Sequence, residues 1–289
     1  MAFAQFNMKP KWKDRQSSEN VTRNDGGRRR RDKEFPESER GPSSQVIYGC
    51  LPVLEALRAE NRRIDKVWIA DGSREARLSE IIELCRTRSI AWNRVPRETF
   101  AKHLESGVNH QGVMAFAASA EYVDVEEILQ PKDTEPLILI LDGVEDPRNL
   151  GAILRTAECA GTDGIIIPER RAVGLNDTVA KSSAGAIEFV KVAKVANLNR
   201  LIEKLKSKNI WVVGTSGDAT MDYTEWDWTR PTALVFGAEG SGLHRLVAEN
   251  CDVLVKIPMY GKIDSLNVSV AAGVVLFEAK RQRNLTTDN

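Results

Sequence analysis

A chain of 289 residues, 42% hydrophobic and 28% charged, carries enough apolar material for more than one packed core, which excludes a collagenous or wholly disordered polymer. Lys plus Arg and Asp plus Glu both number 41, so whole-chain charge announces no polyanionic partner. The four cysteines (Cys50, Cys85, Cys159, Cys251) form no C-x-x-C pair and only three histidines accompany them, so neither a zinc site nor a disulfide framework is expected, and a reducing, cytoplasmic setting is.

Residues 1–44 are rich in charged residues, Ser, Gly and Pro without periodicity, and are expected to form a disordered tail. Its basic block Arg28, Arg29, Arg30 and Arg31 either engages RNA phosphates or is simply solvated. The first residues lack the apolar core of a secretory signal, and no apolar run is long enough for a membrane span. From Gln45 the pattern changes. VIYGCLPVLEALRAE opens β-prone and continues with Val53, Leu54 and Leu57 at helical spacing, KVWIA reads as a strand, LSEIIELCRTRS as a helix, and IAWNRV and GVMAFAA as further strands. This predicts a small α/β unit over 45–122, with Trp68 and Trp92 in its core. In NHQGVMAF, Asn109, His110 and Gln111 are either hydrogen-bond donors to RNA or the makings of a glycine turn.

Two prolines and a charged cluster in PKDTEP predict a linker over 123–135. A second unit follows over 136–284. LILIL is apolar at every position, as a strand buried on both faces must be, and GIIIP, IWVVGT, ALVFGAE and VLVKIPM repeat the pattern between helical segments. The expectation is a parallel sheet covered by helices on both sides, closed by a terminal helix over VSVAAGVVLFEAKRQR. Ligands of such sheets bind beyond the carboxyl ends of the strands, so the loops there carry the chemistry.

Three of these loops stand out. In DGVEDPRNLGAILRTAECAG, Asn149 occupies a favourable helix N-cap position and Arg155 follows six residues later; Gly151, Ala152 and Ala157 are small enough for a helix or a substrate to approach. Gly237-Ala238-Glu239-Gly240-Ser241-Gly242 has G-x-x-G-x-G spacing, unlike the G-x-G-x-x-G of a dinucleotide-binding oxidoreductase. In IPMYGKIDSLNVSV, Ser265 and Asn267 offer a hydroxyl and an amide, with Ser265 alternatively capping the last helix.

In this order the three segments resemble the motifs of the SpoU (TrmH-type) family of SPOUT RNA 2′-O-ribose methyltransferases, most nearly the bacterial enzymes that methylate a guanosine ribose of 23S ribosomal RNA. YGCLPVLEAL and NHQGVMAFAA likewise resemble the family's N-terminal substrate-binding domain. The resemblance implies an α/β fold, with a C-terminal SPOUT domain whose parallel sheet carries a deep trefoil knot and a small N-terminal L30e/L7Ae-like domain. It implies S-adenosylmethionine as methyl donor, no metal, RNA as partner, and a homodimer formed through the knotted domain. It also makes Arg155 catalytic, with Asn149, Glu239, Ser265 and Asn267 around it, and Gly237, Ile257 and Leu266 cofactor contacts, joined by Thr215, Gly240 and Met259. Read singly, Ile257 and Leu266 fit a core, Gly237 a turn, and Glu239 either orders its loop, holds Arg155 or meets substrate. Arg155 acts either as general base or as a clamp on phosphate and alkoxide. A neutral guanidine at pH 7 would cost on the order of 8 kcal/mol, which favours the clamp. Transfer RNA methylation, and a non-catalytic RNA-binding or ribosome-assembly role on the same fold, are the alternatives.

Overall fold

The computed structural model describes residues 44–73, 77–104 and 107–287, so the arginine block at 28–31 lies outside the described residues. The first sheet is built from β1 (Ser44–Tyr48), β2 (Ile64–Ala70), β3 (Ala91–Val95) and β4 (Val113–Ala118), in the order β1-β4-β2-β3. Only β2 and β3 run parallel. Strand β4 is central and is apolar throughout, because both of its faces are covered. Helices α1 (Cys50–Ala59) and α2 (Leu78–Thr87) pack on one face, where Val53, Leu54, Leu57, Ile81 and Cys85 meet Val67, Ile69 and Ala115. Phe100, Met114 and Phe116 gather on the other. Trp68 and Trp92 are half-buried, each against one of these clusters.

The second sheet is parallel throughout and seven-stranded. Its strands are β5 (Leu137–Asp142), β6 (Gly164–Pro168), β7 (Val192–Val195), β8 (Trp211–Thr215), β9 (Met221–Asp222), β10 (Thr232–Gly237) and β11 (Val253–Lys256), in the order β7-β6-β5-β10-β8-β11-β9. In β5, Leu137, Leu139 and Leu141 face a cluster with α4 (Pro147–Ala160), α5 (Asp177–Ser182) and α8 (Val268–Thr287). Ile138 and Ile140 face the opposite one, with α6 (Leu198–Ser207) and α7 (Arg245–Asn250). The unbroken apolar run is the consequence. Gly151 is where α5 crosses α4: a Cβ there would stand 1.9 Å from Ser182 Oγ.

The stretch expected as a linker is packed along its first half. Val123 pairs with Ala193, its N–H donating to Val192 O at 2.9 Å, and α3 (Val125–Ile128) buries Ile128 against Ile138, Ile140 and Ile166. A helix of four residues is too short to show periodicity, so the prolines beyond it dominate the sequence signal.

A buried ion pair joins the two sheets. Arg62, which follows α1, pairs with Glu188 with both side chains nearly inaccessible, and donates also to Gln45 Oε1 at 2.7 Å and Ala118 O at 3.1 Å. Asn61 donates to Glu188 O. Burial pushes the Glu188 carboxyl above the usual range, against the opposing pull of Arg62. Among the described residues no helix is long and apolar enough to cross a membrane.

Candidate active site

The connections after β5 and β10 leave in opposite directions, through α4 to β6 on one side and through α7 to β11 on the other. Where neighbouring strands part in this way, a crevice opens beyond their carboxyl ends. A cleft of about 320 Å³ lies there, lined by Gly143 and Val144 after β5, Asp146 and Asn149 at the start of α4, and Ala238 and Glu239 after β10.

Helix α4 is capped by Asp146, whose Oδ1 accepts the Arg148 N–H at 2.7 Å, with Pro147 opening the helix. Asn149 is therefore not the cap that its residue type suggested. Its side chain is buried and free for another partner, which comes from the far end of the chain: Asn267 Nδ2 donates to Asn149 Oδ1 at 3.0 Å and to Glu239 Oε1 at 2.5 Å. The Oδ1 of Asn267 meanwhile accepts the Ser269 N–H at 2.9 Å and so caps α8. One amide thus ties the second and third loops to the first and starts the last helix.

Ser265 lies exposed, donating to Asp264 Oδ1 at 3.2 Å; the cap role falls to Asn267. Arg155 is exposed on α4 and has no hydrogen bond or ion pair among the described residues. Six residues on from Asn149, it sits about 120° around the helix axis from it by the shorter way, and it is not among the residues lining the cleft. The structure brings together Asn149, Glu239 and Asn267 and leaves Arg155 and Ser265 apart from them.

The positions expected to hold cofactor follow β8, β10 and β11, which are neighbours in the sheet, so their loops leave along one edge. The Thr215 hydroxyl is spent on Val235 O at 3.1 Å, tying β8 to β10. Ile257 and Met259 are half-buried, and Leu266 is 40% exposed. The glycine spacing has a specific cause. Ala238 and Gly242 exchange backbone hydrogen bonds of 3.0 Å, folding the loop back over Gly237, where a Cβ would stand 2.0 Å from the Gly242 carbonyl carbon. Gly240 (φ 83°) and Gly242 (φ 66°) occupy the left-handed region. Gly237→Ala is expected to cost about 1–3 kcal/mol of stability by overpacking and to weaken cofactor binding about tenfold, read by melting and calorimetry.

Sequence reasoning missed three residues at the cleft. Asp142, buried at the end of β5, accepts the His244 N–H through Oδ2 and meets His244 Nδ1 through Oδ1, both at 2.8 Å. His244 Nε2 in turn lies 3.4 Å from Arg171 Nη1. A carboxylate closing an otherwise apolar strand is the signal that could have found Asp142; His244 and Arg171 carry none.

In the first unit, His110 Nδ1 accepts the Gly112 N–H at 3.1 Å and its ring stacks on Phe100 at 4.5 Å. Burial, and secondarily Arg97, push its pKa down, which favours the neutral ring. Gln111, at φ 51°, turns its Oε1 to the Cys50 N–H at 2.8 Å and so starts α1. These polar atoms serve the turn.

Residues 136–277 match the SpoU rRNA Methylase family, and residues 46–123 match the RNA 2′-O ribose methyltransferase substrate-binding family. The chain is 45% identical over 241 residues to a Bacillus subtilis protein named a putative TrmH family tRNA/rRNA methyltransferase, covering 82% of this chain and 96% of that one. It is 42% identical over 244 residues to the 23S rRNA (guanosine-2′-O-)-methyltransferase RlmB of Pseudomonas putida, covering 83% and 98%. Among solved structures, the SpoU methyltransferase AviRb from Streptomyces viridochromogenes in complex with AdoMet superposes with a TM-score of 0.71 at 26% identity, over 84% of this chain and 91% of that one.

Proposed function

This chain belongs to the SpoU rRNA methylase family, and from that premise we propose that it transfers a methyl group from S-adenosylmethionine to the 2′-hydroxyl of a guanosine ribose in 23S ribosomal RNA. The observation that carries the reading is the meeting of all three loops at the cleft through Asn149, Glu239 and Asn267. The test is transfer of labelled methyl to purified 23S RNA and, separately, to transfer RNA, with the labelled ribose mapped. Label confined to transfer RNA would replace the proposed substrate, and label in neither would sink the reading.

The loops along the β8, β10 and β11 edge suit the cofactor. Leu266, Ile257 and Met259 leave apolar surface uncovered for an adenine ring, and Gly217 and Gly240 have open space around their α-carbons, so backbone N–H groups can be approached closely. Gly237, Thr215 and Gly240 shape the pocket, with Leu266, Ile257 and Met259 as its apolar wall. When bound, the cofactor supplies a methyl on a sulfonium that is itself a good leaving group. The residues of this chain therefore chiefly align the ribose. Glu239 and Asn149, fixed by Asn267, hold the nucleotide, and Ser265, apart from them on the same loop as Asn267, offers an exposed hydroxyl to the substrate. Arg155 grips the adjoining phosphate and stabilises the negative charge growing on the 2′-oxygen, whose proton passes to that phosphate or to water.

The division of labour places substrate binding in residues 45–122 and catalysis in 136–284, joined through 123–135. We assign the first an L30e/L7Ae-like fold, in which His110 and Gln111 shape an RNA-facing turn, and the second a deep trefoil knot formed as the segment after β11 passes back to Asn149. The arginines at 28–31 add phosphate contacts. The setting is cytoplasmic, where ribosomal RNA is found.

The chain works as a homodimer. Val270 and Phe277, seven residues apart on one side of α8, are 51% and 53% exposed, and Tyr260 and Ile263 of the preceding loop are more exposed still. A self-complementary patch of this kind suits two-fold assembly. The pair of substitutions Val270→Asp and Phe277→Asp is expected to give monomers in light scattering with little loss of melting temperature. Retained dimers would move the interface elsewhere.

A further inference from the structure

The cleft carries a polar chain that the proposed chemistry does not use: Asp142, His244 and Arg171. Its hydrogen bonds have one consistent direction. Arginine can only donate, so His244 Nε2 accepts from Arg171 Nη1, and the ring proton therefore sits on Nδ1, donating to Asp142 Oδ1 at 2.8 Å. The ring is held on a second side by its own backbone N–H bound to Asp142 Oδ2, and it packs over Gly143, where a Cβ would stand 3.5 Å from His244 Cε1. The buried carboxylate thus fixes an imidazole, and the imidazole fixes a guanidinium at the cleft mouth.

The backbone supports the same reading. Arg171 sits at φ 57°, in the left-handed region that L-residues other than Asn and Asp seldom adopt. Its loop is pinned to the cleft wall by the Val173 N–H on Val144 O at 3.1 Å and by the Leu175 N–H on the Tyr122 hydroxyl at 2.8 Å. With the Glu169 N–H on Val195 O at 2.9 Å before it and these two bonds after it, the left-handed conformation is held on both sides and restrains the side chain. The surrounding charge says what for: Glu145, Asp146 and Glu239 line the same cleft, and Arg171 is the one Lys or Arg among the described residues lining it. A polyanion entering a cleft with three carboxylates needs a cation there, and most of the guanidinium's N–H donors remain uncommitted.

We propose that Asp142, His244 and Arg171 form a phosphate-binding subsite, in which Arg171 grips a backbone phosphate of the substrate RNA beside the nucleotide whose ribose enters the cleft, and Asp142 and His244 position it. This rests on the RNA-methylating reading above. A carboxylate of the cofactor is the other oxyanion of suitable chemistry, and the test separates the two.

Binding of wild type, Arg171→Ala and Arg171→Lys to a large-subunit ribosomal RNA transcript is measured across salt concentration, with calorimetry of S-adenosylmethionine and steady-state transfer alongside. Arg171→Ala is expected to weaken RNA binding by on the order of tenfold and to flatten the slope of log affinity against log salt by about 0.7. The KM for RNA rises with kcat largely retained, and cofactor affinity stays within about twofold. Arg171→Lys keeps the slope, having kept the charge, and loses part of the affinity with the planar fork. An unchanged slope and RNA affinity in a folded Arg171→Ala chain would overturn the subsite, as would a fall in cofactor affinity in place of RNA affinity. A wild-type chain that binds RNA with this arginine-dependent slope but methylates none would remove the proposed activity and leave the subsite standing.

Discussion

Arg155→Ala is expected to lower methyl transfer to RNA by on the order of 10²–10³-fold, the usual loss when a donor aimed at developing charge is removed. Stability should hardly change, because Arg155 is exposed and has no hydrogen bond or ion pair among the described residues. Cofactor affinity, measured by calorimetry, should also hold, since Arg155 is not among the residues that line the cleft. Arg155→Lys separates the possible roles. A lysine keeps the charge and loses the planar fork, so a clamp on phosphate and alkoxide predicts that most activity is lost. A lysine variant with nearly full activity would sink the clamp, and an activity limb in the pH profile that disappears with Arg155 would restore the general base. The orientation of Arg155 bears on assembly as well. A side chain about a third of a turn around α4 from Asn149, outside the cleft lining, reaches a substrate only if that substrate extends beyond the cleft or if another surface closes over it.

The second large effect is on folding. Arg62→Ala leaves the Glu188 carboxylate buried without its cation, for which about 3–5 kcal/mol of lost stability is expected, read as a shift in the denaturant midpoint with a nearly constant slope. Replacing both partners with apolar residues of similar size, Arg62→Met with Glu188→Leu, should recover most of the loss. If the double substitution is no better than the single, the penalty is one of packing and not of charge. The pH dependence has a definite sign. Burial raises the Glu188 carboxyl above the 4.5 of an unperturbed glutamate, so between those two values the folded chain holds a proton that the unfolded chain has released. Its contribution to stability therefore falls as pH rises through that window and then levels off. Glu188→Gln removes this component, so the difference between wild type and variant should follow that course.

Much of the architecture was legible because burial on both faces leaves an unambiguous mark. LILIL of β5 alternates between two helical layers and is apolar at every step, and ALVFG of β10 does the same beside it. The strands that escaped notice are those at the sheet margins. β7 (VAKV) exposes Lys194, and β9 is two residues long, so neither produces a run of apolar residues. The small helix α3 vanished for a related reason: one buried isoleucine among glutamates does not make a pattern. At the site, Asn149, Glu239 and Asn267 were found through motifs, but their mutual hydrogen bonds join positions up to 118 residues apart, and no local rule reports such a distance. Arg171 was invisible for a different reason. Its left-handed backbone is the kind of position where a glycine or an asparagine usually gives the turn away, and here an arginine holds it.

Asn267 has a consequence for the order in which the molecule becomes competent. Asn149 follows the first strand of the second sheet and Glu239 follows β10, but the amide that joins them comes after every strand has been made. A chain still being synthesised can complete both sheets and the Arg62–Glu188 junction while its cleft remains unassembled. The same amide starts α8, so the final helix and the finished site arrive together. Under the proposed function, the cleft can act on RNA only once the segment that carries Asn267 has been made.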